Sequence, residues 1–202
     1  MLNLTVEDFV AQTAAKSSTP GGGSVAGVVG SLAAALGEMS LNFTIGKKKF
    51  ADFAELHQKL ATELADLRQK SLELIDADVK AYQKFCDINK LPDSPTKQAS
   101  LYDALIESIE VPAELANTML TLLKLLDTLK DKCNHWLISD LVAAARLAVA
   151  VSALCDFNVR INARNLEDKT LAQDYRNRSA DARKLANKIA DEIESAVANL
   201  LD

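Results

Sequence analysis

Glycine is confined to one stretch of this chain. All seven lie between Gly21 and Gly46 of 202 residues, and three are consecutive in Thr19-Pro20-Gly21-Gly22-Gly23-Ser24. A glycine inside a helix costs about 1 kcal/mol relative to alanine, so a chain that excludes it elsewhere is free to be helical elsewhere. Here it needs bare backbone for binding, tight packing or both. Four prolines are few for a β-rich protein, and no period-2 run longer than a few residues occurs. The expectation is an all-α fold: one domain over 1–202, a multihelical bundle of about six helices with long antiparallel members.

The elements follow from apolar spacing and stop signals. Thr5 with Asp8 in the capping-box position opens a short helix to about Ala15 that buries Leu4, Phe9 and Val10. A nearly all-apolar helix runs from about Ser24 to Ile45, capped by Ser24 and stopped at Gly46. Apolar residues three and four apart from Phe53 to Phe85 predict one long amphipathic helix ending near Asn89. A fourth, about Thr96 to Lys132, contains Pro112, which removes a backbone donor and predicts a kink or split near Ile109. Two more follow, Ile138 to Asn165 and Leu171 to Leu201. The alanine-rich fifth helix and the second are expected at the centre of the bundle.

Composition excludes several classes. A net charge of −5 argues against nucleic acid as a partner, since phosphate binding needs a positive footprint. Cys86, Cys133 and Cys155 are odd in number and widely spaced, which reads as buried thiols in a reducing compartment. His57 and His135 without a CxxC or HExxH cannot furnish a zinc set, so no metal is expected. The N-terminus lacks the basic start and apolar core of a signal peptide, and the chain reads as cytoplasmic. Val25 to Ile45 carries one charge, Glu38, in 21 residues. Its Ser31, Ser40, Asn42 and Thr44 favour a buried helix over a membrane span, and no second convincing span is read.

Chemistry concentrates in a few places. Pro20, Gly21, Gly22, Gly23 and Ser24 feed a helix N-terminus, whose free N–H groups suit an anion or developing negative charge. Gly21-x-Gly23-x-x-Ala26 has no preceding strand, and Gly46-Lys47 lacks the rest of a phosphate loop, so both nucleotide readings fail. Ser24, Ser31, Glu38 and Asn42 share one helix face; internal hydrogen bonding or a site would each explain them. Asp140, Asn158 and Asn162 share a face of the fifth helix, with Asp156 and Arg160 an i,i+4 pair. Asp140 could instead cap that helix. Asp76, Asp78 and Tyr82 interrupt the third helix.

Together, Ser18-Thr19-Pro20-Gly21-Gly22-Gly23-Ser24-Val25-Ala26, Asn42 through Gly46-Lys47-Lys48-Lys49-Phe50, Val111-Pro112-x-Glu114, Ser139-Asp140 and Asn158-Val159-Arg160-Ile161-Asn162 resemble the cyclodeaminase/cyclohydrolase family of folate enzymes. The match runs in order over nearly the whole chain, departing at Cys133-Asn134-His135-Trp136-Leu137, where relatives carry a Gly-Asn-Pro-Asn-like turn. The resemblance implies a homodimer and a reduced-folate substrate, with or without a polyglutamate tail, and no cofactor besides it. It implies Lys47, Lys48 and Lys49 near the tail carboxylates, with Arg160 a further candidate. Glu38, Asp78 or Asp140 would pair with the pteridine or the cationic one-carbon bridge. Asp140 is assigned the acid/base role, with Asn158 and Asn162 orienting substrate or water. The implied activity is hydrolysis of 5,10-methenyltetrahydrofolate to the 10-formyl compound, tilted by a chain of this length carrying no transferase domain. Deamination of formiminotetrahydrofolate, and a helical folate binder without turnover, remain open.

Overall fold

A computed structural model describes residues 1–201; Asp202, the last residue of the expected domain, lies outside them. The described residues form six α-helices in order: α1 Val6–Ala14, α2 Gly22–Asn42, α3 Ala54–Asn89, α4 Pro95–Leu129, α5 Ile138–Ala163 and α6 Lys169–Val197. Among the described residues there is no strand. The five long helices form one bundle in which α2, α3, α4 and α5 make a closed circuit and α6 covers α4 and α5.

The glycines of α2 explain its tight fit. A Cβ on Gly27 would collide with the Ile75 side chain and stand 3.3 Å from the Ser71 carbonyl of α3, so only glycine permits this α2–α3 approach. The main core joins all five long helices through Leu41, Leu64, Leu122, Leu126, Leu141 and Ile193. A smaller cluster, including Leu105, Ile109, Val159, Leu166 and Tyr175, lies toward the other end of α4 and α5.

Several sequence expectations change. The Thr5 capping box forms, with the Asp8 N–H donating to Thr5 Oγ1 at 3.1 Å, but α1 buries none of its residues and Val10 is exposed. Nine residues with one half-covered aromatic, Phe9, lie on the surface rather than in the core. The N-cap of α2 is Gly21, not Ser24, which sits inside the helix and is fully buried. Cys133 and Cys155 are buried free thiols, but Cys86 is half-exposed. Burial pushes the Cys133 thiol up to about 11 and that of Cys155 up to about 12.

Pro112 neither splits α4 nor ends it: the helix runs unbroken from Pro95 to Leu129. An interior proline costs roughly 3 kcal/mol. Burying a large apolar side chain returns about 1.5–3 kcal/mol, and Leu115, Met119, Leu122, Leu123, Leu126 and Leu129 are all buried on the C-terminal side. Packing outweighs the broken bond.

Among the described residues two helical segments, not one, are long and apolar enough to cross a membrane: Gly22–Asn42 and His135–Ala163. Both pack side by side within the bundle and against α4. Their pairing is antiparallel, because the α2 C-terminus meets the start of α5: the Asn134 N–H donates to Thr44 Oγ1 at 2.8 Å and Ser40 Oγ to the Leu137 carbonyl at 3.4 Å. The pair is not enclosed at the centre as expected. Leu32 and Phe43 of the α2 side and Phe157 and Ile161 of α5 are all more than half exposed.

Candidate active site

The antiparallel pairing carries the start of α2 to the end of α5, and a cavity of about 270 Å³ opens there. Gly21, Gly22 and Gly23 form one wall, Asp78 and Tyr82 of α3 a second, Ser108 of α4 the floor, and Asn158 and Asn162 of α5 the third. Each helix contributes residues one turn apart, 78, 82 and 85 from α3, 105, 108 and 111 from α4, and 158 and 162 from α5, with Asn165 in the turn just beyond α5. That is the i, i+3, i+4 spacing of a single helix face. Asn165, Ser108 and Phe85 were not singled out from sequence. The four-then-three step from Asn158 through Asn162 to Asn165 was the signal available for the first.

The glycine turn supplies more than space. The first intrahelical bond of α2 runs from the Val25 N–H to the Gly21 carbonyl at 2.9 Å, so the N–H groups of Gly22, Gly23 and Ser24 have no partner inside the helix. Asp78 lies against this turn. Its Oδ2 accepts from Ser24 Oγ at 3.4 Å, and its carboxylate occupies the space that a Cβ on Gly23 would need. Burial raises the Asp78 carboxyl above its ordinary value, with the Ser24 hydrogen bond pulling partly back. Among the described residues Asp78 is the one carboxylate lining the cavity. A Gly23→Ala substitution is expected to swing this flexible carboxylate aside, lowering turnover at least 10-fold with little change in melting temperature. Unchanged kcat/KM in G23A would show that the carboxylate's place is unimportant.

Asn162 is oriented by α4. Its Nδ2 donates to the Ser108 carbonyl at 2.8 Å across the helix interface. A carbonyl can only accept, so the amide nitrogen faces α4.

The other candidates lie elsewhere. Asp140 is in the first turn of α5, 18 residues from Asn158, hence about 27 Å away along the axis at 1.5 Å per residue. The shared helix face is real, but the cavity occupies only the far end, so Asp140 does not work with Asn158 and Asn162 in this subunit. It does not cap α5 either; the N-cap is Leu137. Within the α2 polar stripe, Ser31 Oγ donates to the Val28 carbonyl at 2.8 Å and Glu38 Oε1 accepts from Arg68 Nε at 2.6 Å. Internal pairing explains those two. Asn42 is exposed at the C-terminal end of α2.

Arg160 points away from the cavity's carboxylate, with its Nε donating to Asp156 at 2.7 Å. Asp156 is 1% exposed and also accepts from Ser179 Oγ at 2.8 Å and Arg183 at 3.3 Å. Burial alone would raise its carboxyl, but these hydrogen bonds and the Arg160 charge prevail and hold it below the ordinary value. The cluster ties α5 to α6. Gly46, Lys47 and Lys48 line a separate cavity of about 430 Å³ with Phe50 and His57, while Lys49 Nζ lies 5.4 Å from the Phe50 ring centre. Gly22 opens α2 and Gly46 lies in the turn beyond its other end, with the helix between them about 30 Å long. His135 and Trp136 are exposed.

Among the described residues no group of three or more His, Cys, Asp or Glu side chains could hold a metal ion.

The sequence profile of the formiminotransferase-cyclodeaminase family matches residues 5–181. A methenyltetrahydrofolate cyclohydrolase of Methylorubrum extorquens is 29% identical over 177 residues, 85% of each chain. A formimidoyltransferase-cyclodeaminase of Rattus norvegicus is 30% identical over 88% of this chain, which spans 34% of that longer protein. The crystal structure of a formiminotetrahydrofolate cyclodeaminase from Thermotoga maritima superimposes with a TM-score of 0.91 at 27% identity, covering 100% of this chain and 99% of the other.

Proposed function

The chain belongs to the formiminotransferase-cyclodeaminase family, and from that premise we propose that it hydrolyses 5,10-methenyltetrahydrofolate to 10-formyltetrahydrofolate, with Asp78 as the acid/base. The observation that carries this reading is the half-buried Asp78 carboxylate against the glycine turn, in a cavity whose other polar side chains are amides and hydroxyls, set among Ala81, Phe85, Leu105 and Val111. A family member of similar length that carries the cyclohydrolase name supports the choice of reaction.

The substrate's bridge is a cationic amidinium carbon. The Asp78 carboxylate stabilises that charge and takes a proton from the water that attacks it. The tetrahedral adduct then loses its hydroxyl proton to solvent water, the carbon–N5 bond breaks, N5 takes the proton held by Asp78, and the formyl group stays on N10, with one proton released overall. A carboxyl raised by burial holds a proton more readily than an ordinary one, which suits a group that must both take and return it. The carbon keeps its oxidation level throughout, so the reaction requires no redox cofactor, and water and one carboxyl group suffice for the proton traffic. Folded in the cytoplasm, the enzyme keeps its three thiols reduced.

At about 270 Å³ the cavity falls just below the roughly 300–1,000 Å³ of small-molecule sites. It suits the pterin head and the one-carbon bridge, leaving the benzoyl-glutamate tail outside. The half-covered to exposed apolar stripe Val25, Val29, Leu32, Leu36, Met39 and Phe43 of α2 adjoins exposed Phe157 and Ile161 of α5. This surface pairs two copies about a two-fold axis near the middle of α2. Antiparallel α2 helices then bring the partner's lysine segment to the mouth of the cavity, where it meets the tail carboxylates.

The same pocket supports a second reading, because the Thermotoga maritima structure is that of a cyclodeaminase: N10 attacks a formimino carbon and Asp78 protonates the departing ammonia. The decisive assay follows the ultraviolet absorbance of methenyltetrahydrofolate with and without enzyme, and in parallel ammonia release from formiminotetrahydrofolate. Acceleration of neither would leave a folate binder and end both catalytic readings.

A further inference from the structure

Pro112 has no N–H, so the carbonyl four residues earlier, that of Ser108, lacks its usual helical donor. An interior proline ring also crowds the carbonyl at that position. This is the carbonyl that accepts from Asn162 Nδ2 at 2.8 Å. Ser108 and Asn162 both line the cavity, whereas Pro112 is buried and does not. We propose that Pro112 is a positioning residue for catalysis: by withholding a backbone donor it reserves the Ser108 carbonyl for Asn162, which then holds its Oδ1 as an acceptor toward the bound substrate or water.

Geometry and chemistry agree on the direction. With Nδ2 committed to α4, Oδ1 is the side-chain atom of Asn162 left to accept a hydrogen bond, and the ligand atom it fits is an N–H or O–H donor. A freely turning amide would offer nitrogen or oxygen to the cavity indifferently. The interior proline is thus a local departure from good helix chemistry, tolerated because buried leucines hold α4 together. Departures of this kind are expected where a site needs them.

The inference rests on the proposed folate chemistry, and the test separates the two. Pro112→Ala restores an N–H that competes for the Ser108 carbonyl. The expected result is a loss of kcat of roughly 10-fold or more, with the melting temperature unchanged or raised, since a helix-breaking residue has been replaced. In an Asn162→Ala background the same Pro112→Ala change is expected to have no further effect on kcat. A nitrogen–proton correlation spectrum of the 202-residue protein provides a second measurement that needs no turnover: the Asn162 side-chain amide protons exchange slowly in the native protein and quickly in P112A. Unchanged kcat in P112A, a loss that persists undiminished in the N162A background, or an unaltered Asn162 amide signal would each overturn the proposal. If the native protein turns over neither folate, the functional reading fails while the amide signal still decides this one.

Discussion

Asp78→Asn lowers turnover of methenyltetrahydrofolate by about 10²–10⁴-fold, the range lost when a positioned acid/base is removed, and leaves the bundle folded. The amide fills the same space against Gly23 and keeps a hydrogen-bonding partner for Ser24, so binding of the pterin head survives while proton transfer does not. The pH dependence of stability gives an independent sign. Because the folded-state pKa of Asp78 is raised by burial, its contribution is fully present below the unfolded carboxyl value and is lost as pH rises through the folded one. The native protein therefore gives up some stability over that window above the ordinary carboxylate range, and D78N does not. Full turnover in D78N, with the acid limb of the native pH–rate profile intact, would remove Asp78 from the mechanism and return the question to a group outside this cavity.

The sequence makes the helices legible because apolar spacing records burial directly, and five of the six expected helices carry a buried face. It fails for α1, where Phe9 and Val10 have the spacing of a buried side but too few neighbours to cover them. At the site, the glycine turn, Asp78, Asn158 and Asn162 are all visible as residue types. What the sequence lacks is the end-to-end sense in which α5 lies on α2. Asp140, Asn158 and Asn162 share one helical face, and periodicity alone gives all three equal standing. The antiparallel contacts through Thr44, Asn134, Ser40 and Leu137 place Asp140 at the lysine end and the asparagines at the glycine end. Pro112 shows the same limit differently: its lost donor is readable from sequence, but the acceptor's new partner, Asn162, is 54 residues from Ser108 and emerges only when α4 meets α5.

Mixing D78N subunits with a Lys47→Glu/Lys48→Glu variant is expected to recover activity that neither has alone. In the proposed dimer each cavity takes Asp78 from one subunit and the lysine segment from the other. A mixed dimer then concentrates both lesions in one cavity and leaves the second with every native group. Random exchange makes half of the dimers mixed, so about a quarter of all cavities are native in composition. The measurement uses a polyglutamylated methenyltetrahydrofolate below its KM, where loss of the tail-binding lysines weighs most heavily, after the subunits have been unfolded and refolded together. If cavity and lysines served one ligand within a single subunit, a tail would have to run the length of α2, about 30 Å, and mixing would merely average the two parents. Activity at that average, or a single-chain mass by light scattering at micromolar concentration, would sink the shared site. The second result would also leave the exposed Leu32, Phe43, Phe157 and Ile161 without a covering partner.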